Sequence, residues 1–117
     1  MFKDILERIS EKLSQSGEGL PRGKGRYCGK DAMNTIEAVK NSGLTIETDQ
    51  VKRIDGPLLH DNLALGGKVR ARHHMVAEVK LKGDSRTYLI DVAKEEGKRV
   101  YEGEQDYFQN SGIEIDS

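Results

Sequence analysis

The chain has 117 residues, 35% of them hydrophobic and 33% charged, with 19 Lys and Arg against 20 Asp and Glu. That length fits one small domain with a single core, and the near-zero balance of charge leaves no global field to draw the chain to nucleic acid or to an anionic membrane. A lone cysteine excludes an internal disulfide, no apolar run approaches the roughly 20 residues that span a bilayer, and the amphipathic N-terminus lacks the basic start and apolar middle of a signal peptide.

In chain order, Phe2, Ile5, Leu6, Ile9 and Leu13 recur at helical spacing between charged residues, which predicts an amphipathic helix packed on the domain through that stripe. From Ser16 to Gly29 the composition turns to Gly, Pro and basic residues, as in a flexible loop. Gly23-Lys24 invites comparison with a phosphate-binding loop, but neither the preceding Gly nor the following Ser or Thr of that pattern is present. The organisation expected is a helix and Gly-rich loop over 1–25 followed by the main body over 26–117, as one domain.

A second helix is expected from about Gly29 to Asn41, with Ala32, Met33, Ile36 and Val39 on one face and Asn41-Ser42-Gly43 as its stop. Cys28 stands at its start. A helix N-terminus lowers a thiol pKa, because its unpaired N–H groups and its dipole favour the thiolate, the nucleophilic form. Leu44 to Thr48 alternates as a short strand, Gly56-Pro57 breaks the pattern, and His60 reads as a loop histidine with no metal-ligand spacing around it. No metal or organic cofactor is called for.

Val69 to Leu81 and Arg86 to Val92 read as a hairpin turning at Lys82-Gly83-Asp84-Ser85. A two-residue Gly-Asp loop places Val79 opposite Tyr88, Ala77 opposite Ile90 and Met75 opposite Val92, one continuous apolar face. The other face then carries His74 diagonal to Asp91, with Val76 and Leu89 as the apolar end on which the Cys28 helix is expected to pack. A three-residue loop would instead give Asp91 the face of His73. Further on, Val100-Tyr101 is a candidate strand, Asp106 to Gln109 a Tyr-Phe patch closing the core, and Ile113 and Ile115 mark a candidate edge strand. With 5% aromatic residues and no Trp, the core is expected to be thin and aliphatic.

Nucleophile at a helix start, histidine on a strand and aspartate on the adjacent strand together make the chemistry of cysteine-dependent acyl transfer, with Cys28, His74 and Asp91 as the candidate catalytic residues. Each alone has an ordinary explanation: a buried small thiol, a strand histidine, a strand end. The order and segments Tyr27-Cys28-Gly29-Lys30-Asp31-Ala32, Arg72-His73-His74-Met75-Val76-Ala77 and Tyr88-Leu89-Ile90-Asp91 resemble the papain-like fold, in particular the small papain-fold toxin domains of bacterial polymorphic toxins and the related glutamine deamidase effectors. The resemblance covers about Arg26 to Val92. It implies an α+β, papain-like fold, with a cysteine-bearing helix packed on a small antiparallel sheet. It also implies hydrolysis of an amide through a thioester, as a protein glutamine deamidase or a peptidase. Such domains are secreted as part of a larger toxin, act on a protein substrate in the target-cell cytoplasm and are neutralised by a cognate immunity protein. The papain-like glutamine that donates to the oxyanion has no counterpart shortly before Cys28, whose own backbone N–H is one available donor. Two other classes compete: a ribonuclease-type toxin using His73 or His74 with Lys68-Val69-Arg70-Ala71-Arg72 on phosphate, and a non-catalytic binding or immunity domain that meets its partner through the N-terminal helix.

Overall fold

The computed structural model describes residues 2–16, 28–62, 67–93 and 98–115. The elements are α1 (Phe2–Ser16), α2 (Cys28–Lys40), β1 (Ile46–Asn62), β2 (Gly67–Leu81), β3 (Thr87–Ile90), β4 (Val100–Glu102), α3 (Glu104–Asn110) and β5 (Glu114–Ile115). The strands form one antiparallel sheet in the order β4-β3-β2-β1-β5, an α+β arrangement. Residues 17–27 of the Gly-rich stretch, Tyr27 included, lie outside the described residues.

The two expected helices form where their stripes place them. Leu6 is fully buried, with Phe2, Ile9 and Leu13 packed beside it. Buried Ser14 donates its hydroxyl to the Val92 carbonyl at 2.8 Å, and Glu7 Oε1 accepts the Val100 N–H at 2.7 Å, so α1 is tied to the sheet by polar contacts as well as apolar ones. Helix α2 ends as the sequence indicates. Ser42 N–H donates to the Val39 carbonyl at 3.2 Å, and Gly43 takes φ +93°, a conformation that costs a glycine nothing.

The β2–β3 register is the expected one, with Ala77 opposite Ile90 and Val79 opposite Tyr88. Gly83 at φ +87° makes the turn, and the Asp84 carboxylate accepts the Arg86 N–H at 3.0 Å. The ladder stops at Ile90, however, so the expected pairing of Met75 with Val92 is not formed.

Each face of the sheet carries its own core. Ala77, Val79, Leu81, Tyr88 and Ile90 pack against Ala32, Ile36 and Val39 of α2 and Leu6 of α1. This corrects the expected seat of α2 on Val76 and Leu89. The α2 stripe buries more apolar surface on a face of five consecutive apolar positions than on one interrupted by Glu78 and Lys80. Val76 and Leu89 pack instead with Ile54, Leu58, Tyr101, Tyr107 and Ile113. The core is also less aliphatic than composition implies. Tyr88, Tyr101 and Tyr107 are its largest fully buried side chains, and Tyr101 meets Tyr107 edge-to-face at 5.2 Å.

Strand β1 corrects two further expectations. It begins at Ile46, two residues into the strand expected from Leu44 to Thr48, and runs through Gly56-Pro57 to Asn62. The Gly56-Pro57 peptide is cis and falls at a register irregularity between Asp55 and Leu58. Pro57 has no N–H to give a ladder, and a bulge is where a strand tolerates that. Gly56 is fixed by close approach: a Cβ there would lie 2.6 Å from the Leu58 nitrogen and 2.8 and 2.9 Å from the Arg72 and Ala71 carbonyl oxygens. His60 is therefore a strand residue, and it is buried.

Candidate active site

Cys28 is the first residue of α2, half-buried, at the end of the helix where backbone N–H groups lack intrahelical acceptors. Because β3 pairs only with Ala77–Lys80 of β2, the backbone of β2 before Ala77 has no β3 partner. Into that gap the thiol fits, hydrogen-bonded by the backbone N–H groups of Met75 and Gly29. A pocket of about 10 Å³, room for about one water, lies beside the sulfur and is lined by residues that include Asp31, His74, Met75 and Asp91.

His74 lies in the middle of β2 and is 1% exposed. Its Nε2 is 3.0 Å from Asp91 Oδ2. Nδ1 is fully buried and without a hydrogen-bond partner, and the imidazole interacts with the Cys28 thiol. Asp91, the residue just past β3, is held from several sides. Its N–H donates to the Arg99 carbonyl at 2.9 Å, Oδ1 accepts the Ala93 N–H at 3.1 Å, and Oδ2 accepts the Tyr107 hydroxyl at 2.8 Å as well as His74. The expected trio of Cys28, His74 and Asp91 is thus in one place.

Burial opposes charge on all three groups, and in each case the partners outweigh it. For Cys28, burial pushes the thiol up, but the His74 imidazole and the Met75 and Gly29 N–H groups bring it below its ordinary value. Burial pushes His74 down, yet the Asp91 carboxylate and the Cys28 sulfur raise it to about 10. Asp91 is lowered despite burial by His74, Tyr107 and the Ala93 N–H. All three directions favour the charged forms, thiolate, imidazolium and carboxylate, over the neutral ones. Tyr107 is pushed up by burial and by the Asp91 charge, so it stays protonated and donates.

His73, the other candidate, lies opposite Asp55 and points to the other side of β2 from His74. Two residues that the sequence reading did not place at the site belong to its surroundings. Tyr107 was legible only as part of a core-closing patch. His60 stacks on His74 with ring centroids 4.0 Å apart and planes 20° apart. Among the described residues no group of His, Cys, Asp and Glu has the arrangement of a metal site, and no helix is long and apolar enough to cross a membrane.

No known family, curated protein or solved structure matches the chain. The chemical capacity of the site therefore rests on its own geometry: a half-buried sulfur on a helix N-terminus, a buried imidazole that touches it, and a carboxylate fixed on the far nitrogen.

Proposed function

We propose that the protein is a cysteine-dependent amide hydrolase in which Cys28 is the nucleophile, His74 the general acid and base, and Asp91 the group that orients His74. The observation that carries this reading is the Cys28–His74–Asp91 chain, with Asp91 on Nε2 at 3.0 Å, Nδ1 buried and unpartnered, and the imidazole interacting with the sulfur; we assign Nδ1 to the thiol. In the Ser-His-Asp template the two ring nitrogens have the opposite roles, but the logic is the same.

In the reaction the Cys28 thiolate attacks the amide carbonyl carbon, a C–S bond forms, and the carbonyl electrons move to oxygen. Collapse of that oxyanion expels the amine, which takes the Nδ1 proton from the His74 imidazolium, and leaves a thioester. His74, now neutral, accepts a proton from water as the water attacks the thioester. The second collapse expels the thiolate beside the imidazolium and releases the carboxylic acid, which gives its remaining proton to solvent and leaves as the carboxylate. With a glutamine side chain the expelled amine is ammonia; with a peptide bond it is a new N-terminus. Asp91 stays ionised throughout and stabilises the imidazolium.

The setting follows from the resemblance to papain-fold toxin domains: a protein substrate in a target cell, delivery as part of a larger secreted chain, and a cognate immunity protein. The test has two parts. Iodoacetamide should alkylate Cys28 rapidly well below pH 8.5, and His74→Ala should remove that reactivity while His73→Ala keeps it. Expression of the protein in a bacterial cytoplasm should inhibit growth and add about one mass unit at glutamines of a target protein, or cut it, with Cys28→Ala inert in both assays. A thiol as slow as free cysteine in the wild type, or toxicity retained in Cys28→Ala, sinks the proposal.

A further inference from the structure

We propose that His60 is a positioning residue for His74, carried to it by a fold-back of the β1–β2 arm at Gly56-Pro57. The inference takes His74 as the general base of the hydrolase reading, and it deepens that reading by assigning the group that holds the imidazole flat and dry.

The argument starts from strand length. Directly across the ladder from His74 is Ile54, while His60 is six residues further along β1 and opposite Val69. At about 3.3 Å per residue a straight strand would carry His60 about 20 Å past His74, more than two imidazole side chains can bridge. The rings are nevertheless stacked at 4.0 Å. The strand must therefore turn back over the sheet between the two positions, and the one irregularity there is the bulge at Asp55–Leu58. In that bulge Gly56 packs so tightly on the Arg72 and Ala71 carbonyls that no Cβ fits. The far arm is fastened in its bent position by β5, which pairs with Leu58 and Leu59, and by the burial of Leu58 against Tyr101 and Tyr107.

The stack has a consequence for the Asp91–His74 hydrogen bond. Asp91 from beyond β3, Cys28 from α2 and His60 from β1 meet the imidazole, Asp31 of α2 shares the small pocket beside it, and Tyr107 from α3 reaches it through Asp91. His60 covers one flat side of the ring. A water admitted there would screen the attraction between Asp91 and the imidazolium. All the influences on His74 would then weaken together. Because their sum is upward, its titration would relax downward towards the ordinary histidine value.

Long-range proton–nitrogen NMR of the imidazoles against pH, on the full chain, reads this directly. Two variants separate a flat ring from other roles of His60. His60→Phe keeps a ring of similar size, and His60→Gln removes the ring while keeping polarity and most of the volume. The expected result is a His74 midpoint at least one pH unit lower in His60→Gln and close to wild type in His60→Phe. Midpoints unchanged in both variants, or lowered equally in both, would overturn the proposal. The readout is independent of the hydrolase reading: an unreactive Cys28 with a lowered His74 midpoint in His60→Gln would count against hydrolysis and for the positioning role.

Discussion

At the residue scale, the site depends on three charges that burial disfavours singly and that stabilise one another together. Asp91 and His74 each have a pH window in which that mutual support contributes to folding. His74 is raised in the folded state, so its contribution is complete below the unfolded value near 6.5 and is lost as pH rises towards the folded value of about 10. Asp91 is lowered, so its contribution is complete above the unfolded value near 3.9 and is lost as pH falls through the folded one. To isolate His74 from the thiol, urea unfolding of Cys28→Ala should show stability falling as pH rises from 6.5 into the alkaline range. Adding Asp91→Asn should flatten that slope, because the group that raises His74 is gone. A slope unchanged by Asp91→Asn would mean that some other group sets the His74 charge.

Cys28, His74 and Asp91 were legible because each is tied to a local rule: a cysteine at a helix start, and a hairpin whose turn fixes which side chains share a face. Tyr107 and His60 were not, for different reasons. Tyr107 reaches Asp91 by packing of a short helix, which no periodicity encodes. His60 reaches His74 by a bend in a strand, and the sequence at the bend, Gly56-Pro57, reads locally as a strand end.

At the element scale, that bend is the feature most open to a single substitution. A methyl group at position 56 would meet three backbone atoms at 2.6 to 2.9 Å, and backbone within a sheet has no rotamer through which to yield. Gly56→Ala should cost about 1–3 kcal/mol of overpacking, read as a lowered urea midpoint, and should lower the His74 titration midpoint in the protein that still folds. Full stability in Gly56→Ala would show that the arm has another path. The existence of α1 and α2, the β2–β3 pairing and its register followed from spacing, whereas α3 and the side of the sheet that α2 covers did not. Both faces of β2 offered apolar positions, and the choice between them depended on the total area that α1 and α2 bury together, a quantity spread over residues 2 to 100.

At the scale of the whole molecule, the sheet separates two cores. Leu6, fully buried on the α1–α2 side, ties the N-terminal helix to Ile36, Val39 and Val100, so α1 belongs to the fold rather than standing apart from it. Leu6→Ala should cost about 2–5 kcal/mol in urea unfolding. A loss well under 1 kcal/mol would instead mark α1 as a loosely attached segment available to a partner. The thin core expected from composition proved incomplete, because the few tyrosines of the chain are concentrated in the interior, three of the four fully buried.

The division of the cores also decides when the three groups of the site can meet. Cys28 is delivered from the α1–α2 side of the sheet, while Tyr107 and His60, which brace Asp91 and His74, come from the α3 side. Neither half alone assembles the sulfur, the imidazole and the carboxylate. The contacts that lower the Cys28 thiol and raise the His74 imidazole therefore arise only when both layers have closed on the strands between them.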